Sequence, residues 1–304
     1  MRYYLLLLAS VVGEVLYNIF MNLESKNGRG NGREVHRFNR IVYSVGFVLL
    51  LIRAIGTPIS LYSILLGMLF GFAIMMASFA LVCSYATGPM HISTLFITSS
   101  MILPILAGVP ISHDQLTVGK LICIVCLLFF LYLSLERKEG AGVNREWFVY
   151  TLIGFLFSGM IGITQKIHQA SVHADESAWF LAAAFFFSAV FSAVINLLMR
   201  KMAGRPAKKE EAKPTETTDK PVHSTKKMVL YAVLCGICIW FLHVNNLTLV
   251  GQLPGFIFFP IENGGSLMLD ILVAVFLFHE KLTKRQLVGI IGGVLALLVL
   301  CILP

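Results

Sequence analysis

The sequence predicts an all-helical integral membrane fold, and three observations carry that prediction. Hydrophobic residues make up 57% of the 304-residue chain and charged residues only 13%, with a mean hydropathy of +0.82. Soluble domains carry about 45–50% apolar and about 25% charged residues. The apolar residues gather in runs near the ~20 residues that span a bilayer as a helix. Runs such as Leu5 to Leu8 and Leu295 to Leu300 lack the strict alternation that a membrane barrel strand requires.

Taken in order, the apolar runs place helices near 3–23, 38–56, 60–86, 89–111 and 115–135, then 147–167, 178–199, 228–250, 254–278 and 284–302. Gly, Pro and charged residues bound each run, and Gly88-Pro89 divides the third helix from the fourth. Ten helices leave no room for a large soluble domain, so a water-soluble enzyme is excluded. Glu14 interrupts the first apolar run, and no small-x-small cleavage site precedes the polar loop. That stretch is therefore expected to be a membrane helix and not a cleaved signal.

The chain repeats itself. Leu61-Tyr62 and Gly67 match Leu230-Tyr231 and Gly236, Asp114-Gln115-Leu116-Thr117 matches Glu280-Lys281-Leu282-Thr283, and Tyr4 with Gly13 matches Tyr150 with Gly159. The expected organisation is a first five-helix unit over 1–136, a loop at 137–146 and a second unit over 147–304. An odd number of helices per unit forces the two into opposite orientations.

Loop charge agrees with that inversion. Basic residues concentrate after the first helix (Lys26, Arg29, Arg33, Arg37, Arg40), between the fifth and sixth (Arg137, Lys138, Arg145), across 200–227 and near 281–285. These four regions hold 20 of the 24 Lys and Arg residues. The positive-inside rule then puts them in the cytoplasm and both termini outside a plasma membrane, the inner membrane of a bacterium. The segment near 203–226, rich in Lys, Glu, Pro and Thr, reads as a polar cytoplasmic linker. The net charge of +8 thus belongs to loops and gives no reason to expect nucleic acid.

Two inverted five-helix units resemble the ten-helix EamA-like branch of the drug/metabolite transporter superfamily when each ends in an acidic residue, Leu-Thr and a small-residue helix. The closest stretch is Phe278-His279-Glu280-Lys281-Leu282-Thr283 followed by Gly289 and Gly292-Gly293. The resemblance implies a carrier of small organic metabolites that works by alternating access. The proline often found about thirteen residues before the Glu of this turn is replaced by Leu267 in the second half and by Met101 in the first. More familiar members place both termini in the cytoplasm, opposite to the charge count here. The first helix, with Gly13-Glu14-Val15-Leu16-Tyr17, also resembles that of the small multidrug resistance proteins, whose first-helix glutamate serves protons and cationic substrates.

Candidate site residues follow from the cost of a carboxylate in a membrane, roughly 2.5–3.5 kcal/mol on insertion scales. Glu14 lies mid-helix with Asn18 and Asn22 at i+4 and i+8 and Tyr17 alongside, a polar face able to bind substrate and to take up or release a proton. The competing reading of Glu14 is a neutral acid that hydrogen-bonds neighbouring helices. The ninth helix offers Glu262, Ser266 and Asp270 at the same spacing, with Asn263 beside them and Pro260 and Gly264-Gly265 loosening the backbone. These acids divide between substrate or ion binding and an internal hydrogen-bond network. His243 with Asn245 and Asn246 forms a further candidate, and Lys166 either meets a cavity carboxylate or substrate anion or snorkels to the interface. Asp114 and Glu280 are expected to favour the N-termini of the helices that follow them.

The six cysteines fall within apolar runs, and Cys123 and Cys126 align with Gly289 and Gly292, which makes them packing residues and leaves no metal or other cofactor to expect. No Gly-x-Ser-x-Gly, His-Glu-x-x-His or Walker motif occurs, so no enzyme activity is expected. The expected function is secondary, proton-coupled transport of small organic metabolites, amino-acid-like or cationic, by a monomer or homodimer. A sugar uptake permease and a lipid-carrier flippase remain the alternatives within the superfamily.

Overall fold

The computed structural model describes residues 2–27, 32–88, 90–135, 144–203, 225–278 and 283–303. Most of the polar linker, residues 137–143 of the inter-repeat loop and the His279-to-Leu282 turn lie outside them. The described residues are helical without a strand. Among the described residues twelve α-helices follow in order. The first six are α1 (Arg2–Asn27), α2 (Gly32–Ala54), α3 (Leu61–Thr87), α4 (Met90–Thr98), α5 (Ile102–Ser112) and α6 (Val118–Ser134). The other six are α7 (Arg145–Ala170), α8 (Ser177–Ala203), α9 (Thr225–Gln252), α10 (Gly255–Phe259), α11 (Ser266–Phe278) and α12 (Lys284–Ile302).

Among the described residues eight helical runs are long and apolar enough to cross a membrane, and the chain is a multi-pass membrane protein. The run Val118–Ser134 is apolar but shorter. Arg33, Arg37, Arg40 and Arg53 ride on α2, which starts six residues before the apolar run in the sequence suggests.

Two rods that the sequence reads as single helices are broken. A 3-10 turn, Ser99–Met101, separates α4 from α5. Pro104 explains it: proline brings no N–H to the Ser100 carbonyl four residues back, and its ring crowds that carbonyl. A π-helical turn, Pro260–Gly265, separates α10 from α11, and π turns inside α-helices concentrate at functional positions.

Helix pairing sets the frame. α1 packs on α9, α3 on both α7 and α8, α2 on both α8 and α9, and α6 on α12, while α4 and α5 lie along α7 and α11 lies along α1. Missing side chains permit the closest approaches. A Cβ on Gly67 would sit 2.8 Å from the Ala183 Cβ of α8, and one on Gly289 would sit 2.7 Å from the Phe130 carbonyl oxygen of α6, so both glycines serve helix contacts.

Two apolar clusters result. The first joins α2, α3, α8 and α9 through Phe38, Tyr43, Phe70, Phe180, Phe185 and Ile239. The second joins α1, α5, α6, α9, α10 and α12 through Leu7, Ile105, Leu127, Leu249, Phe258 and Leu300.

The acidic-x-Leu-Thr turn after α5 divides its work between two residues. Thr117, not Asp114, caps α6, its hydroxyl accepting from Lys120 N at 3.4 Å. Thr283 caps α12 in a full capping box with Gln286. The Asp114 carboxylate instead accepts from Gly255 N at 2.8 Å, at the start of α10. A left-handed residue, His113 at φ 56°, ends α5 and turns Asp114 toward it. Glu280 lies outside the described residues.

Candidate functional site

Ser10, Glu14 and Asn18 recur every four residues along α1 and so share one face. Across from them Glu262, Ser266 and Asp270 recur at the same spacing through the π turn into α11. The two stripes meet rung by rung. At one end the Ser10 hydroxyl donates to Asn246 Oδ1 of α9, and Asn246 Nδ2 donates to Glu262 Oε1 at 2.6 Å. In the middle Glu14 faces Ser266 and lies within electrostatic range of Glu262 and Asp270. At the other end Asn18 Nδ2 donates to Asp270 Oδ2 at 2.7 Å.

The π turn shapes the second stripe. Its Asn263 turns back, Nδ2 donating to the Phe259 carbonyl at 3.0 Å and to Glu262 Oε2 at 2.8 Å. Both Glu262 oxygens are thereby occupied by amide donors, which fixes the carboxylate in direction.

A cavity of about 190 Å³ opens beside this ladder. Glu14, Glu262 and Asn263 form its acidic wall, with Asn246 and His243 from α9 adjoining them. The broken α4–α5 rod supplies Ser100, Met101 and Pro104, α7 supplies Ser158, Gly162 and Gln165, and α10 supplies the rings of Phe258 and Phe259. Gly162 keeps this wall thin: a Cβ there would come within 2.7 Å of Pro104 and 2.8 Å of Phe259.

Two polar atoms of cavity-lining residues, Glu14 Oε2 and His243 Nδ1, are buried without a hydrogen-bond partner among the described residues. His243 is instead gripped by ring edges, with Phe70 and Phe185 each at 5.5 Å between centroids. Asn245, beside it, also has an unpartnered Nδ2. No Lys or Arg lines the cavity among the described residues. A desolvated carboxylate in such surroundings either holds a proton or takes a cation as partner.

The structure thus brings Glu14, His243, Glu262 and Asn263 together around one cavity, with Asn18 and Asp270 joined at the end of the ladder. Two candidates lie elsewhere. Tyr17 turns away and packs on the first apolar cluster. Lys166 is 1% exposed and paired with Asp114 at 2.6 Å, so it lies away from the acids of this cavity and from the membrane interface. The side chain of Asn22 lies outside the described residues. Ser10, Ser100, Ser158 and Gln165 enter the site without having been candidates. For Ser10 the signal was its position four residues before Glu14.

No family model matches the chain, and no curated protein matches it. A solved crystal structure, described only as that of a protein, superposes with a TM-score of 0.66 over 97% of this chain and 98% of the other at 13% sequence identity. At that identity the likeness shows a shared fold and no more, and the two folds coincide over nearly their whole lengths.

Proposed function

We propose that this protein is a proton-coupled secondary carrier of small organic metabolites, amino-acid-like or cationic, that works by alternating access and belongs with the EamA-like drug/metabolite transporters. In this reading ten spans form two inverted five-helix units, and the solute passes through chemically unchanged. The observation that carries the reading is Glu14 Oε2, a buried carboxylate oxygen without a hydrogen-bond partner among the described residues, on a cavity within the bundle. Intramembrane acids of this kind mark proton and substrate paths.

The packing pattern supports the two-unit arrangement. Exchange of α1 with α7, α2 with α8, α3 with α9, α4–α5 with α10–α11 and α6 with α12 turns the most extensive helix pairings into one another or, for α2–α8 and α6–α12, into themselves. The α1–α9 contact maps onto α7–α3, α3–α8 onto α9–α2, and α5–α7 onto α11–α1. Under the same exchange the two broken rods correspond, and both line the cavity. Interrupted helices at equivalent positions of two halves are where carriers built from inverted repeats bind their solutes. Concentration of basic residues in four stretches of the sequence supports a plasma-membrane orientation with both termini outside.

The test is solute-driven pH change in proteoliposomes against a panel of amino acids, sugars, nucleosides and organic cations, for the wild type and Glu14→Gln. A solute-dependent proton signal that disappears in the variant supports the proposal. A proton signal that Glu14→Gln leaves intact removes Glu14 as the coupling residue and moves that role to Glu262 and Asp270, whereas solute uptake without any pH change favours a uniporter such as a sugar permease.

A further inference from the structure

At one end of the bundle, next to the α9–α10 turn, a second cavity of about 330 Å³ is lined by Ser112, Asp114, Lys166, Gln169, Gly251 and Gln252. Its floor is the Asp114–Lys166 pair. Directly before Lys166 in α7 stands Gln165, which lines the central cavity. The pair thus lines the outer cavity one residue along α7 from the wall of the inner one.

Its construction joins parts that would have to separate for the two cavities to connect. Asp114 comes from the turn after α5, Lys166 from α7, and the same Asp114 oxygen that meets Lys166 at 2.6 Å also accepts from Gly255 N at 2.8 Å. Lys166 lies closely under α10, since a Cβ on Gly255 would come within 3.0 Å of Asp114 Oδ2 and 3.1 Å of Lys166 Cε. A second lysine holds the next residue: Lys120 Nζ sits 4.1 Å from the centre of the Phe256 ring and donates to the Gln115 carbonyl at 3.2 Å. The first turn of α10 is thus clamped by two lysines, while its far side carries Phe258 and Phe259 into the central cavity. Pro254 precedes this turn and the π segment follows it, so it is a short unit between two breaks.

We propose that the Asp114–Lys166 pair and the α10 turn bound to it form a gate, closed in this structure, between the central cavity and the membrane face that carries the α9–α10 turn. The gate rests on the reading of the chain as an alternating-access carrier. It opens when the pair separates and α10 tilts on the π segment. A charge pair suits this role because its two partners lie on different elements and lose their attraction steeply once water enters between them. It also assigns Lys166 to gating and leaves the solute cavity without a fixed cation.

The experiment is modification of Ser158→Cys, in the central-cavity wall, by a membrane-impermeant maleimide. The reagent is applied to one face at a time in whole cells and in inside-out vesicles, with labelling of the chain that keeps Ser158 subtracted. Val172→Cys, in the turn between α7 and α8, where Val172 is 92% exposed, identifies the gated face. Lys166→Met, and the double variant Asp114→Asn with Lys166→Met, should raise the labelling rate about tenfold or more from that face alone, since a broken buried pair loses more than enough attraction for such a shift. The double variant decides the matter if the single one does not fold, because it leaves no unpaired charge. An unchanged rate in monodisperse protein, or an equal rise from both faces, overturns the gate. Labelling needs no solute, so a carrier that transports yet shows no one-sided change loses the gate alone, and a one-sided change in a protein that transports nothing on the panel leaves the gate and removes the carrier reading.

Discussion

Asn18 Nδ2 reaches Asp270 Oδ2 at 2.7 Å across 252 residues of chain, and that bond ties the first helix to the broken rod of the second half. The bond asks for a donor at position 18 and an acceptor at position 270. Asp270→Asn keeps an acceptor oxygen, so its thermal unfolding in detergent should shift little. Asn18→Leu leaves a partly buried carboxylate without its donor and should cost about 1–3 kcal/mol, seen as a clear fall in Tm. Equal falls in the two variants would show that the charge and not the hydrogen bond holds the pair.

Asn246 serves two partners at once, Ser10 and Glu262. Asn263 serves Glu262 and a backbone carbonyl of its own helix. Asn246→Ala should therefore destabilise by about 1–3 kcal/mol more than a solvent-facing truncation and by more than Asn263→Ala, because only it separates three helices. In a double-mutant cycle Ser10→Ala should add little to Asn246→Ala, since both remove the same bond. Additive losses, measured as denaturation midpoints, would contradict a shared rung.

The polar ladder was legible because helical spacing alone puts Glu14 with Asn18, and Glu262 with Ser266 and Asp270, each on one face. Ser100 and Ser158 were not, because single hydroxyls in apolar helices serve packing as readily as binding, and nothing local separates the two. Tyr17 is three residues from Glu14, which turns it far enough around α1 to meet the first apolar cluster. The partner of Lys166 lies 52 residues away, and only tertiary packing brings the α5–α6 turn to it. The second break had its signal in Pro260 with Gly264-Gly265, although proline at membrane depth is also compatible with a continuous kinked helix; the first, at Pro104, went unread within an apolar run that predicts one helix.

Thr283 and Thr117 cap equivalent helices with unequal completeness. Thr283 exchanges bonds with Gln286 in both directions, at 2.9 Å and 3.3 Å, whereas Thr117 receives a single bond from Lys120 N at 3.4 Å. Thr283→Ala should cost about 1 kcal/mol and Thr117→Ala less, within the ~0.5–2 kcal/mol range of cap losses. Thermal melts of the two variants side by side measure the difference, and the reverse ranking would mean that the capping box adds nothing.

His243 separates a stabilising role from a functional one. Its Nδ1 is buried without a hydrogen-bond partner among the described residues, and the ring is held by Phe70 and Phe185. A side chain selected for packing alone has no reason to keep an unsatisfied nitrogen there, since leaving it so costs about 1–3 kcal/mol. His243→Phe fills the aromatic cage and removes the nitrogen, so its Tm should equal or exceed that of the wild type. If Nδ1 is kept for solute or for a proton passed from Glu14, the same substitution should reduce solute-driven proton movement in proteoliposomes at least tenfold, equivalent to about 1.4 kcal/mol of lost interaction. A variant that is both more stable and fully active would make the histidine a packing residue after all. One that is less stable would show that Nδ1 has a partner in the folded protein within the membrane.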